Sequence, residues 1–304
     1  MTDLAWVDLL DPDRTQLEAA APTGVHPAVL DRLAADPPHA DDPRPRLEPH
    51  GHYLYGVFVV PVLIPGEREV LYQEIDVVAT LNRLLTVRKT PPGHNPPEFD
   101  AVRAAAASAG ASPGMSLYLL VDEVAERYLS LIDAFDERVD DLEDNVGSWP
   151  ATEVRDRISQ LRHDMLHVRR VLAPTRDASR AILDDRCELD GPAELFPRDV
   201  EVHFADAYDK LLRATDGLDL ARDLLAGVRD YHQAQVANDQ NEVMKRLTVV
   251  ASVLLLPTFI VGLYGQNLKG IPELGFRYGY LWSWTLIVLT TVGQLIYFRR
   301  KRWI

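Results

Sequence analysis

The chain has 304 residues, 46 acidic against 32 basic, for a formal net charge of −14. That length holds a sizeable core and more than one domain. The acidic balance argues against a nucleic-acid partner, since phosphate binding needs clustered Lys and Arg, and is compatible with divalent cations. The single Cys187 excludes an intrachain disulfide framework and a cysteine metal cluster, and fits a reducing cytosol.

Residues 1–114 read as a small α/β domain. Leu4 to Leu10 is a strand-like run closed by Asp11-Pro12-Asp13, and it lacks the basic and apolar regions of a cleavable signal. Val25 to Ala35 reads as a short helix and Pro37 to Pro49 as a loop. Tyr53 to Ile64 reads as a strand interrupted near Pro61, and Val70 to Arg88 as one or two more strands. Glu98 to Ala109 is Ala-rich and helical.

Residues 115–196 predict a helical hairpin. From Met115 to Trp149 apolar residues recur every three or four positions, through Leu117, Leu120, Val124, Tyr128, Leu131, Phe135 and Val139. Gly147 and Pro150 break the pattern, and Thr152 starts a second helix running to Asp184. The acidic tip (Asp140, Asp141, Glu143, Asp144) reads as a solvated face.

Residues 197–246 predict a stalk helix, because no proline intervenes between Arg198 and Pro257. Gly217 and Gly227 are mild breakers. At about 1.5 Å per residue, a helix from Arg198 to Gly262 is about 100 Å long. Such a helix needs to pack against copies of itself or against the hairpin.

Residues 247–304 predict a membrane hairpin. Two apolar stretches, about 247–264 and 278–298, each approach the roughly 20 residues that span a bilayer. A loop, 265–277, joins them. Lys245 and Arg246 precede the first stretch, and Arg299, Arg300, Lys301 and Arg302 follow the second. The positive-inside rule then places both termini in the cytoplasm and the loop outside, for a multi-pass protein of the cell (inner or plasma) membrane. Trp282, Trp284 and Trp303 sit where an aromatic belt would. One stripe of the first span, Asn241, Met244, Thr248, Ala251, Leu255, Thr258 and Gly262, is less bulky and more polar than the rest. It reads either as a helix contact with backbone-bonded hydroxyls or as a pore lining. In the second reading Met244, Leu247 and Leu255 are hydrophobic constrictions, and Asn241 and Thr258 supply neutral oxygens.

The run Asn241-Glu-Val-Met-Lys-Arg-Leu-Thr248, then Pro257-Thr-Phe-Ile-Val-Gly-Leu-Tyr-Gly-Gln-Asn267, then Pro272-Glu-Leu274 and Lys301-Arg-Trp-Ile304, resembles the CorA family of magnesium channels. The upstream order of parts also fits. The resemblance implies an α+β chain that forms a funnel-shaped homopentamer whose stalk helices line a central pore. It makes Gly265, Gln266 and Asn267 the selectivity filter, with Gln266 standing where the family has Met. Glu273 in the outer loop would concentrate cations. Magnesium holds its water tightly, so a ring of neutral amides can bind the hydrated ion without stripping it. Asp206 and Asp209, in His203-Phe-Ala-Asp-Ala-Tyr-Asp209, resemble the family's sensing stretch, with Asp206 the better match and Glu98 or Asp100 candidate partners. Asp223 and Asp230 lie one heptad apart, with Asp230 lining the inner pore. Magnesium is thus implied as both cargo and regulator, and no organic cofactor is expected.

His163-Asp-Met-Leu-His167 lacks the glutamate of a zinc-protease helix and reads as surface, as do His50 and His52. With no nucleophile motif and no phosphate-binding loop, an enzyme is not expected. A relative specialised for zinc, cobalt or nickel stays open. A two-span signalling receptor is the non-transport alternative.

Overall fold

The computed structural model describes residues 6–35, 45–63, 70–90, 96, 98–266, 275 and 277–303. It divides into two units, Met1–Arg229 and Asp230–Ile304.

The first unit opens with β1 (Trp6–Leu10), α1 (Arg14–Ala20) and α2 (Pro27–Ala34), followed by β2 (Arg46–Pro49), β3 (Leu54–Leu63), β4 (Val70–Ala79) and β5 (Leu84–Arg88). The strands form one sheet in the order β1-β5-β4-β3-β2. β1 joins β5 in parallel, with Trp6 opposite Leu84, and the other pairs are antiparallel. Both faces are covered. Tyr55, Val57, Val78 and Val87 pack under Leu17 of α1 and Val29 and Leu33 of α2. Leu54, Phe58, Ile75 and Val77 join the main core.

Three sequence expectations change here. The loop expected over Pro37 to Pro49 ends in a strand, β2, held by Leu47 opposite Gly56. A Cβ on Gly56 would lie 2.4 Å from a Leu47 methyl, so only glycine permits that approach. Pro61 does not interrupt β3. It pairs with Tyr72 of β4, and β2 reaches only as far as Val57 along the other edge, so the missing N–H breaks no ladder on that side. α1 was not expected at all. It is held by a capping box, in which the Asp13 carboxylate accepts from Gln16 N and the Gln16 side chain accepts from Asp13 N.

The main core is closed by α3 (Asp100–Ala109), α4 (Pro113–Asn145) and α5 (Ala151–Leu183). Ser112 caps α4 by accepting from Met115 N, with Pro113 in the first turn. The buried Tyr128 hydroxyl donates to the Val59 carbonyl at 2.8 Å and ties α4 to the sheet. At the hairpin turn the Arg157 guanidinium lies 3.8 Å over the Trp149 ring. His167 of α5 packs on Tyr72, with ring centres 4.2 Å apart, and His50 stacks on Tyr53. Cys187 is buried, and that burial pushes its thiol up to about 11.

α6 runs from Arg198 to Gly265. In the first unit it buries Val200, Phe204, Ala207, Leu211, Ala214, Leu218, Ala221, Leu225 and Val228. The spacing alternates four and three, the 3.5-residue period of a coiled-coil seam, and small residues alternate with large ones. The seam meets α4. Phe204 sits edge-on to Tyr118, and Lys210 reaches Asp122. Gly217 is more than the mild breaker expected: a Cβ there would lie 2.8 Å from an Ile132 methyl.

A charged cluster lies inside the sheet. The Lys89 ammonium is 2.6 Å from Glu74 Oε1 and 3.0 Å from Asp76 Oδ2. Tyr55 donates to Asp76 Oδ1 at 3.0 Å, and Gln73 donates to the Lys89 carbonyl. Two carboxylates share one ammonium, so one is under-compensated. Burial is the larger effect on Asp76, and it outweighs Lys89 and raises the carboxyl from 3.8 to about 6. Because the folded value lies above the unfolded one, the native state holds the extra proton, and this group's contribution to stability falls as pH rises from about 4 to about 6. Lowering the pH from about 7.5 to about 5.5 is expected to stabilise the unit by about 1 kcal/mol through Asp76, roughly 2–4 °C. Thermal melts of Asp76→Asn against wild type check this, and an equal pH slope in the two would exclude Asp76 as the source.

The second unit holds the remainder of α6 and α7 (Gly279–Arg300). Val249, Ser252, Val253, Leu256 and Ile260 of α6 and Ser283, Leu286, Thr290, Gln294 and Phe298 of α7 are buried or half-buried. Gln294 Nε2 donates to the Ser252 carbonyl at 3.2 Å, a polar tie between two apolar helices.

Candidate ion pathway and acidic recess

Both α6 and α7 carry stretches long and apolar enough to cross a bilayer. The packed face of α6 (Val249, Val253, Leu256, Ile260) and the stripe Asn241, Met244, Thr248, Ala251, Leu255, Thr258 and Gly262 are about 140° apart, at about 100° per residue. Every stripe residue is exposed in the single chain, as is Leu247. α7 therefore leaves the stripe uncovered. Exposure reaches 59 % at Met244 and 71 % at Leu255, large values for apolar side chains.

Both stripe threonines bond their own helix. Thr248 Oγ1 donates to the Met244 carbonyl at 2.8 Å, and Thr258 Oγ1 donates to the Leu254 carbonyl at 2.7 Å. This is the backbone bonding that the helix-contact reading anticipated. It also uses up each hydroxyl proton and leaves acceptor lone pairs, which suit the donating waters of a hydrated cation. Pro257 lies inside α6 without ending it. It cannot donate to the carbonyl four residues back, so the helix is weakest one residue before Thr258.

Gly265 is the last residue of α6, and Gln266 follows in a turn, its N–H donating to the Leu263 carbonyl. Both are exposed. Asn267 and Glu273 lie outside the described residues.

In the first unit Asp206 and Asp209 line a shallow recess of about 520 Å³ with Tyr118, Lys210 and Arg213. Lys210 does not neutralise them. Its ammonium lies 2.7 Å from Asp122 and 2.6 Å from Glu126 on α4. Burial lowers its pKa, but those two hydrogen bonds outweigh it and the net shift is upward. The sequence reading missed this arrangement, because Asp122 is 88 residues from Lys210. Asp223 and Asp230 are both exposed on α6. Asp100 pairs with Arg103 of its own helix, and the Glu98 carbonyl accepts from Arg127. Among the described residues no group of three or more His, Cys, Asp or Glu could hold a metal ion within one chain. A cation bound at Asp206 would need ligands from elsewhere.

Known proteins share this fold. The chain is 25 % identical over 302 residues to the cobalt/magnesium transport protein CorA of Thermotoga maritima, covering 98 % of this chain and 83 % of that one. Its fold matches the complete structure of the CorA magnesium transporter from Methanocaldococcus jannaschii, with a TM-score of 0.78 at 21 % identity over 98 % of this chain and 91 % of that one. It also matches the full-length CmaX protein, with a TM-score of 0.72 at 22 % identity over 98 % and 88 %. The family described as CorA-like Mg2+ transporter protein matches residues 2–300, so this membrane chain belongs to that family.

Proposed function

We propose that five copies of this chain surround an axis and conduct magnesium passively into the cytoplasm, with both termini on the cytoplasmic side. The observation that carries this reading is on α6. From Arg229 to Thr248 none of its side chains is buried, although the helix is continuous. A helix of that length with no buried side chain is not self-supporting in water, and copies of itself are the economical cover. Around such an axis Asn241, Met244, Leu247, Thr248, Ala251, Leu255 and Thr258 would line the path, with Asp230 at its inner end. Gly265, Gln266 and Asn267 would form the outer filter, and Glu273 would gather ions. The membrane potential drives entry at roughly 2.3 kcal/mol per charge per 100 mV, and about twice that for a divalent ion.

Cytosolic magnesium would close the channel by bridging Asp206, Asp209 and Asp223 to carboxylates of a neighbouring copy. Differential binding to the closed state supplies the bias, and its loss lets like charges separate the subunits. Asp206→Ala is expected to leave uptake intact and to raise the internal magnesium needed for half-inhibition by about tenfold, a coupling of about 1.4 kcal/mol. Unchanged inhibition in liposomes would reject the sensing role.

The test of the whole reading is flux into liposomes of purified protein, with magnesium, cobalt, nickel and zinc in parallel. Magnesium uptake that rises with an inside-negative potential supports it. Zinc-selective uptake would assign a different cargo, and no flux of any ion would favour a signalling role.

A further inference from the structure

The C-terminal end of α7 is built more firmly than a trailing tail requires. Arg302 holds a left-handed conformation with φ 58°. Its N–H donates to the Arg299 carbonyl at 3.1 Å, and the Trp303 N–H donates to the Phe298 carbonyl at 3.0 Å. This is the paired hydrogen bonding of a Schellman cap, and its usual apolar contact is present. The Trp303 ring stacks on Phe298 with centres 5.7 Å apart and planes 17° apart. Phe298 is itself buried. Arginine tolerates the left-handed region poorly compared with glycine, so the contact across the cap has to hold it there.

The capped tryptophan then forms a wall of a recess of about 380 Å³ whose other lining includes Asn241, Met244, Lys245 and Thr248 of α6. Three of these four belong to the uncovered stripe. Trp303, just past the end of α7, thus stands beside the end of the face on which the transport reading rests.

We propose that Trp303 is a positioning residue for that end of the ion path, and this inference rests on the channel reading. The indole fixes the rotation of α6 about its own axis at Met244 and Thr248, and so sets how far the Met244 side chain projects from the stripe. It acts through α6 and touches no ion. The cap matters because it fixes the indole; the charge on Arg302 is secondary.

The test uses the full chain in liposomes with Met244→Cys as a reporter. Cys187 stays silent because it is buried and its thiol is pushed up to about 11. The rate at which a water-soluble maleimide modifies the reporter is compared across backgrounds. Trp303→Ala is expected to change that rate by about fivefold, as local opening equilibria do, and Trp303→Phe to restore it. Arg302→Gly, which keeps the cap geometry, is expected to match the parent. Equal rates with and without Trp303, or an Arg302→Gly effect as large as that of Trp303→Ala, would overturn the proposal. Magnesium uptake by the Met244-containing Trp303→Ala chain is measured beside it, with a change of about threefold or more expected at unchanged oligomer size. An unchanged flux would also overturn the proposal. If the unsubstituted chain carries no magnesium, the channel reading has failed, and the maleimide rates still report separately whether Trp303 positions α6.

Discussion

Asn267→Ala is expected to abolish magnesium uptake while leaving the assembly intact. Magnesium prefers strict octahedral oxygen coordination and gives up its water reluctantly. Amide oxygens can accept from the bound waters, so a ring of them offers a hydrated ion a site that costs little dehydration and releases the ion again. In the proposed ring alanine would remove the acceptor from every copy at once, and methyl groups would give the ion's waters no partner. The loss should reach the liposome background, a drop of about 100-fold or more, since each hydrogen bond is worth about 0.5–1.5 kcal/mol and several would be lost together. Gln266→Met restores the family's usual residue, and it is expected to keep uptake while shifting the ratio of magnesium to cobalt. Full uptake by Asn267→Ala, with the oligomer unchanged in size, would remove the filter assignment.

Lys89→Met is expected to be the most damaging single change in the first unit. The ammonium is 5 % exposed and lies against Glu74 at 9 % and Asp76 at 1 %. Removing it leaves two carboxylates inside the sheet, with the Tyr55 hydroxyl still donating to Asp76. Breaking a buried pair in this way costs about 3–5 kcal/mol, because a buried charge loses its compensation. For a domain of this size that lowers the melting temperature by on the order of 10 °C. Adding Asp76→Asn to Lys89→Met should recover part of the loss, since one of the two charges is then gone. Equal melting temperatures for wild type and Lys89→Met would show that the cluster is solvated in solution.

The long helices were legible because their burial is periodic. The run from Leu117 to Leu142 repeats every three or four residues, and each of these residues is buried on α4. Short elements were less legible. α1 buries only Leu17, and β2 is four residues long with only Leu47 buried, so neither leaves a period to read. The Asp13 and Gln16 capping box was a usable signal for α1. Pro61 misled because a proline breaks a ladder only where a neighbouring strand needs its N–H, and that depends on where β2 ends.

The stripe on α6 was legible from spacing, since three- and four-residue steps fix a helix face. The pairing of Lys210 with Asp122 and Glu126 was not, because it joins residues on two helices far apart in sequence. The Lys89 cluster depends on the register of β4 against β5, and Trp303 depends on a left-handed arginine. Neither follows from composition or period. Membership of the family was legible because its motifs are contiguous.

The stretch of α6 from Tyr231 to Thr248, with no buried side chain, also bears on how a cell would handle surplus copies. It carries Lys245 and Arg246 in a stretch of α6 none of whose side chains is buried. In the proposed assembly a neighbouring copy would cover this stretch, whereas an unassembled subunit would leave it open to local unfolding and cleavage. Assembly and resistance to degradation would then be one event, with housekeeping proteases clearing what fails to find its partners.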